Sequence, residues 1–183
     1  MRRELLDRFA DGGPVVLSAG TIGWENSPAV GESIEAALER GTDIREHRAR
    51  VLEPELIVAA DLVIGMTAEH ANATVAMVPQ AVSRSFTLKE AVRLVEELQA
   101  VKATERFDEG AMKARVEVAN ALRVGGFEGN PHDADVVDPL GLPVDTFRAV
   151  AWEIDTMCIR LMDGLFGVRD ATAQPEVQPG VEG

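Results

Sequence analysis

The chain has 183 residues, of which 46% are hydrophobic and 27% charged, and these proportions are typical of a globular protein rather than a disordered or fibrous one. Its 31 acidic residues against 18 basic ones give a net charge of -13, which repels phosphate backbones and anionic lipids. Nucleic acids and membrane surfaces are therefore excluded as favoured partners, and the length suits one domain.

The N-terminal third predicts a helix, a strand and a second helix. Apolar residues recur at helical spacing over residues 4–10. Residues 15–17 (Val-Val-Leu) predict a buried strand that leads into the small residues 18–21. A second helix is predicted over residues 28–40, and Gly41 follows it as a left-handed terminating residue.

The middle of the chain repeats this alternation. A short helix over residues 54–60 precedes a buried strand over residues 61–66, and a helix follows to Met77. A further strand is predicted over residues 83–87, before a helix whose first turn has capping-box spacing. Three strand-then-helix units predict an α/β fold, an open parallel sheet with helices on both faces.

The C-terminal third is mainly helical. A helix is predicted over residues 111–124, and the clearest apolar stripe of the chain extends from Phe147 to Leu165, with Asp145 as a candidate N-cap. The sequence after Gly167 is rich in Pro, Gly and Glu and lacks periodicity. We therefore predict one domain over residues 1–167 and a disordered tail over residues 168–183.

Cysteine and histidine offer little independent catalytic chemistry. The single cysteine, Cys158, lies on the apolar stripe of the last helix, so we interpret it as a core residue rather than a nucleophile. His47, His70 and His132 lie in separate segments without paired-ligand spacing, so no metal site is predicted. No phosphate-binding or dinucleotide-binding motif occurs, and no cofactor is predicted.

The compartment is also predicted from these features. One cysteine cannot form an internal disulfide, and no signal peptide is visible after Met1. No uncharged apolar run approaches the roughly 18 residues that span a bilayer. A cytoplasmic protein is therefore expected.

Two polar features could carry function. Arg45, His47, Arg48 and Arg50 form a concentrated basic cluster, which is either an anion site or ordinary surface charge. Asp138 precedes a proline, which is typical of a turn, yet a carboxyl group at the end of a strand also suits a proton donor.

Several short motifs, taken together and in order, resemble those of the low-molecular-weight protein tyrosine phosphatases. The resemblance covers residues 4–100 and 135–165, and the stretch between them resembles an extension of some bacterial relatives. The motifs are Ser18-Ala19-Gly20-Thr21, Trp24, His47-Arg48-Ala49-Arg50, Ala60-Asp61-Leu62-Val63-Ile64-Gly65-Met66 and Asp138-Pro139.

The resemblance implies roles for four residues. Asp138 matches the general acid that protonates the leaving group and later activates water. Ser18 and His47 match residues that brace the phosphate-binding loop, and Trp24 matches an aromatic residue beside the substrate cleft. The family usually continues the Asp-Pro pair with aromatic residues, whereas Leu140 follows here, and this departure argues against a preference for phosphotyrosine.

The family's defining Cys-x5-Arg-Ser loop does not occur in this sequence. By resemblance, Met1 falls within the family's first helix, so we expect an N-terminally truncated domain whose true start lies upstream. The loop would supply the thiolate, the backbone anion cradle and the arginine, so the chain is expected to be inactive as given. The preceding central strand would also be missing, which leaves residues 15–19 and 61–66 either to close a gap of about 10 Å or to remain unpaired.

The resemblance therefore implies a hydrolase scaffold, acting in its intact form on a phosphorylated protein or a small phosphomonoester. Two alternatives remain open. The first is a pseudophosphatase that binds a partner or an anion through the loop around His47. The second is an arsenate reductase-like protein, which the buried position predicted for Cys158 disfavours.

Overall fold

The computed structural model describes residues 1–9, 12–22, 24–104, 106–127 and 135–169. These residues form an α/β fold in which most of the regular structure is helical. The helices are α1 (Arg2–Phe9), α2 (Gly31–Glu39), α3 (Pro54–Ala59), α4 (Ala68–Met77), α5 (Leu88–Glu96), α6 (Glu109–Val124) and α7 (Val144–Phe166), with a 3-10 helix at Pro79–Arg84.

The sheet of the described residues has two parallel strands, β1 (Val63–Gly65) and β2 (Ser85–Thr87). Ile64 pairs with Phe86 in the middle of the ladder. α4 and the 3-10 helix form the crossover connection that joining two parallel strands requires. The predicted fold class, a parallel sheet with helices, is confirmed, although the sheet is narrower than the sequence indicated.

Neighbouring residues of β1 face opposite sides of the sheet, as strand geometry requires. Ile64 packs against the main core, whose fully buried members include Phe86 of β2 and Leu161 of α7. Val63 packs against a second, smaller cluster around Ile57 of α3. Apolar packing on both faces explains why this strand is a continuous apolar run rather than an alternating one.

The segment before the first loop does not form the predicted strand. Residues 14–19 have no regular structure, and Val15 and Leu17 are 85% and 55% exposed. The Val16 carbonyl accepts a 2.7 Å hydrogen bond from Nη2 of Arg2 on α1 instead of a ladder bond. The prediction of a buried strand here was wrong: among the described residues, β1 and β2 form a ladder only with each other, and residues 14–19 pair with neither of them. A segment without a ladder partner has no acceptors and donors for its backbone groups other than local ones.

Two helix ends test the local predictions. The capping box is confirmed, since Thr87 Oγ1 accepts from the Glu90 amide at 3.2 Å while Glu90 Oε2 accepts from the Thr87 amide at 3.3 Å. The N-cap predicted at Asp145 was wrong. Pro143 occupies that position without a side-chain hydrogen bond, and Asp145 lies in the first turn, where it accepts from Arg148 at 2.8 Å.

The end of the predicted domain is only partly within the described residues. Val168 makes an isolated parallel bridge with Lys102, so the first residue of the predicted tail is paired. Positions 170–183 of that tail, and His132 of the histidine set, lie outside the described residues. Nowhere in the described part of the chain is there a helix with the length and apolarity needed to cross a membrane.

Candidate active site

The carboxyl end of β1 is the structural centre of the candidate site, because loops at this edge of a parallel sheet commonly carry function. Gly65 ends the strand directly beside α4, and a Cβ there would lie 2.9 Å from the Ala71 amide nitrogen. Glycine therefore allows the close approach of strand and helix. Thr67 begins α4 as its N-cap, with its hydroxyl accepting from the His70 amide at 3.3 Å.

The acid loop, residues 135–142, is attached to this edge by two hydrogen bonds. The Val136 amide donates to the Met66 carbonyl at 2.8 Å, and Asp135 Oδ1 accepts from the Ala68 amide at 2.7 Å. Val136 is 4% exposed and belongs to the main core. The loop is therefore anchored through both its backbone and a buried side chain.

Asp138, the predicted general acid, lies exposed on the acid loop. Its Oδ1 accepts from the Leu140 amide at 3.0 Å, which closes a turn over the proline. The Leu142 amide donates to the Pro139 carbonyl at 2.9 Å and closes a second turn, in which Gly141 has a φ of 81°. The second carboxylate oxygen of Asp138 has no hydrogen-bond partner within the described ranges, so it is open to an incoming leaving group.

A second surface is built from the segments around Trp24 and the basic cluster. Gly20 pairs in parallel with Val51, its amide donating to the Arg50 carbonyl at 2.9 Å. Further along, the Asn26 amide donates to the Ala49 carbonyl at 2.8 Å. These contacts place the Trp24 segment beside the basic loop, residues 43–50. Trp24 itself is 65% exposed.

The arginine side chains of the basic loop are less available to bind an anion than the sequence indicates. Arg45 Nε donates to both carboxylate oxygens of Asp43 at 3.0 Å, and this hydrogen bonding lowers the pKa of Asp43 to about 2. Arg48 Nη1 donates to the carbonyls of Arg45 and His47 at 3.0 and 2.8 Å. One of the cations of the predicted cluster is thus neutralised by a neighbouring carboxylate.

The structure brings only some of the predicted residues together. His47 and Ser18 are exposed, and no hydrogen bond among the described residues joins either side chain to Asp138. The bracing role predicted for these two residues remains a prediction, since the loop that they would brace does not occur in the sequence. Trp24 and His47 share the second surface, whereas Asp138 lies on the acid loop.

Cys158 is placed as the sequence predicted, on the buried side of α7. Its side chain is 5% exposed, and burial raises the pKa of the thiol. A nucleophilic cysteine needs a lowered pKa and access to substrate, so this environment suits packing rather than catalysis. In the described ranges, no three His, Cys, Asp or Glu side chains are grouped as a metal site would require.

Sequence reasoning missed Asp135. The residue has no local signal, because its partner Ala68 lies 67 positions earlier in the chain. Only the docking of the acid loop on the sheet edge brings the two together. Gly65 was noticed only as part of a motif, and its close approach to α4 likewise becomes visible in three dimensions.

Comparison with known proteins decides the family. A family model described as "Low molecular weight phosphotyrosine protein phosphatase" matches residues 4–103, more than half of the chain. The chain belongs to this family. Asp138 lies beyond the matched range, so its assignment rests on the resemblance and the geometry of the acid loop.

Relatives cover more of the chain than the family model does. A protein-arginine-phosphatase of Geobacillus stearothermophilus is 28% identical over 165 residues, which span 90% of this chain and 86% of that protein. Among solved structures, the low-molecular-weight protein tyrosine phosphatase of T. tengcongensis is 29% identical, with 81% of this chain and 76% of that chain covered and a TM-score of 0.56. The structure of an arginine phosphatase from Geobacillus stearothermophilus is 27% identical, with coverages of 82% and 73% and a TM-score of 0.56.

Proposed function

We propose that this chain is a low-molecular-weight phosphatase scaffold that contributes the general acid but not the nucleophile. The observation that carries the proposal is the contrast between Asp138, exposed on a loop anchored at the sheet edge, and Cys158, buried within α7. The 183 residues contain no Cys-x5-Arg-Ser loop. The chain alone therefore does not hydrolyse phosphomonoesters.

The chemistry assigned to Asp138 requires a mobile proton and access to the substrate. Breaking the bond from phosphorus to the leaving group is slow unless a positioned acid protonates the departing atom, which is an oxygen in a phosphomonoester and a guanidine nitrogen in phosphoarginine. The same carboxylate then activates water against the phosphorylated cysteine. An exposed carboxyl group held in a turn suits both steps. The thiolate, the anion cradle and the arginine would come from a strand and loop placed before α1.

The proposed substrate is a phosphorylated protein or a small phosphomonoester. The proposed compartment is the cytoplasm. Leu140 and Leu142, 62% and 46% exposed, give the acid loop an aliphatic surface that cannot stack on a phenol ring. Together with the arginine phosphatase among the relatives, this favours phosphoarginine over phosphotyrosine. The net charge of -13 argues against nucleic acid or membrane partners.

A non-catalytic binding role is the alternative, and the basic loop is its candidate surface. Arg50 and His47 are exposed there, although Arg45 is paired with Asp43. Arsenate reduction is a weaker third candidate, because it would require redox-active cysteines and Cys158 is buried.

The test compares the 183-residue chain with the same chain extended at its N-terminus by a strand and Cys-x5-Arg-Ser loop from a relative. Only the extended form is expected to turn over para-nitrophenyl phosphate. Within it, Asp138→Asn should lower kcat by about 100-fold or more for poor leaving groups. Glu117→Gln, at an exposed position of α6, is the matched control and should leave kcat unchanged.

Two results would contradict the proposal. One is turnover by the unextended chain that is lost with Cys158→Ser. The other is an extended form that folds and is active but is indifferent to Asp138→Asn. Phosphate or phosphopeptide binding by the unextended chain, abolished by Arg50→Gln and without any turnover in the extended form, would instead support the binding alternative.

A further inference from the structure

We infer that Asp135 is a positioning residue that holds the acid loop against the first turn of α4, and this inference rests on the role proposed for Asp138. Asp135 is exposed, yet its Oδ1 accepts a 2.7 Å hydrogen bond from the Ala68 amide. The two residues are 67 positions apart. The contact therefore joins two separate parts of the chain rather than closing a local turn.

The first turn of α4 has an amide to offer because helix starts leave their first N–H groups without intrahelical acceptors. Thr67 satisfies the His70 amide, and the Ala71 amide donates to the Thr67 carbonyl at 3.2 Å. The Ala68 amide is left for an external acceptor. A carboxylate is well suited to this place, because the N-terminal end of a helix carries partial positive charge.

The contact has a mechanical consequence for Asp138. Val136, the residue after Asp135, is itself fixed by its 2.8 Å hydrogen bond to Met66 and by burial in the main core. Two consecutive residues of the acid loop are thus attached to two different elements, the end of β1 and the start of α4. A single attachment leaves a loop free to pivot, whereas two attachments fix its direction.

The distance between Asp135 and the acid is short. A fully extended chain advances at most about 3.6 Å per residue, so the Asp138 backbone lies within about 11 Å of the backbone of Asp135. Releasing Asp135 therefore moves or loosens the backbone that carries the Asp138 carboxyl group. General acid catalysis is sensitive to such displacement, since a misplacement of about 1 Å can cost about 100-fold.

The N-cap of helix α6 supplies a matched control. Asp108 Oδ1 accepts from the Ala111 amide at 3.0 Å, so Asp108→Ala removes the same kind of carboxylate-to-amide bond at the start of another helix. Both Asp135→Ala and Asp108→Ala should lower the midpoint temperature of thermal unfolding by similar amounts. Only Asp135→Ala should affect the acid loop.

The experiment is backbone NMR of the full 183-residue chain and its variants. In Asp135→Ala, the heteronuclear NOE values of the amides of residues 136–138 and 140 are expected to fall and the Ala68 amide resonance to shift upfield as its hydrogen bond is lost. Asp135→Asn keeps an acceptor oxygen and should restore most of the order. Asp108→Ala should leave these signals unchanged. Retained order of residues 136–140 in Asp135→Ala, or equal loss in Asp108→Ala, would overturn the inference.

Kinetics of the extended form separate this inference from the proposed function. Asp135→Ala should lower kcat/KM, which covers only the steps up to departure of the leaving group, by about tenfold to 100-fold for phenyl phosphate, while kcat/KM for 2,4-dinitrophenyl phosphate, whose leaving group needs no proton, changes less than about twofold. Equal loss of kcat/KM on both substrates would contradict a positioning role. If Asp138→Asn has no effect on either substrate, the proposed function fails, whereas the NMR comparison still decides whether Asp135 orders the loop.

Discussion

Gly164 of α7 lies directly against Val95 of α5, so that a Cβ at position 164 would overlap Val95 Cγ2 and stand 2.7 Å from Val95 Cβ. Real Cβ atoms do not approach other carbons so closely, and the two helices can pack at this distance only because residue 164 is glycine. Helix α7 spans 23 residues and contacts α1, α2, α5 and α6, so this contact sets the position of much of the core.

Gly164→Ala is expected to destabilise the chain despite the higher helix propensity of alanine. Overpacking costs about 1–3 kcal/mol, which exceeds the gain of at most about 1 kcal/mol from replacing a helical glycine. Urea unfolding followed by circular dichroism measures the difference. Gly31→Ala, in the first turn of α2 with nothing within 4 Å of the added Cβ, is the control and should be neutral or slightly stabilising. A Gly164→Ala variant as stable as this control would contradict the packing described.

The irregular segment before Ser18 makes a contrasting prediction. Val15→Ser should change the free energy of unfolding by no more than about 0.5 kcal/mol, because Val15 is 85% exposed. Phe86→Ala should cost about 3–5 kcal/mol, because Phe86 is 2% exposed and lies in the main core. Amide hydrogen exchange of residues 15–17 should be fast. Slow exchange there, or a large cost for Val15→Ser, would indicate that the segment is in a sheet after all.

The difference between these two sites shows what could be predicted from the sequence. The strand predicted at Val63 and Ile64 from their apolar, β-branched pattern is confirmed, and both residues have pairing partners within the chain, at positions 85 and 86. The same apolar, β-branched pattern at Val15 and Val16 predicted a strand with equal reason. Pattern alone reports the propensity of a segment, whereas strand formation also requires a neighbour with free backbone groups.

Some features of the candidate site could likewise be predicted from the sequence, and others could not. Asp138 could be proposed from its Asp-Pro pair and from the order of surrounding motifs, and the burial of Cys158 followed from helical periodicity. The sequence did not predict that Asp135 anchors the acid loop or that Asp43 neutralises Arg45. Each contact depends on which of several polar groups meet after folding. Contacts across 67 residues leave no periodic trace in one sequence.

The thiol of Cys158 should react slowly in the native chain. It is 5% exposed, and burial raises the pKa, so both access and thiolate fraction are reduced. An opening that costs about 3 kcal/mol slows modification by about 100-fold, which a thiol reagent with and without urea measures. The double variant Ala149→Cys, Cys158→Ala places a thiol on the exposed side of the same helix and should react at the rate of the unfolded chain. Fast native reaction at Cys158 would reopen its candidacy as a nucleophile.

The pairing of Asp43 with Arg45 gives a pH-dependent prediction. Hydrogen bonds from the Arg45 side chain and amide lower the pKa of Asp43 from 3.8 to about 2. A depressed carboxyl pKa means that the stabilising contribution is fully present above about pH 4 and is lost as the pH falls through about 2. The pair is exposed, so its effect on the native loop should be seen in the titration of Asp43 rather than in a large change of global stability.

Carbon-detected NMR of the Asp43 carboxyl group measures this titration directly. In Arg45→Gln the midpoint should return towards 3.8, whereas Arg48→Gln should leave it near 2, because Arg48 donates to backbone carbonyls rather than to Asp43. A midpoint that is the same in all three proteins would show that Arg45 is not engaged. Arg45 would then be available to an anion, and the binding alternative would gain a cation that the native pairing now withholds from it.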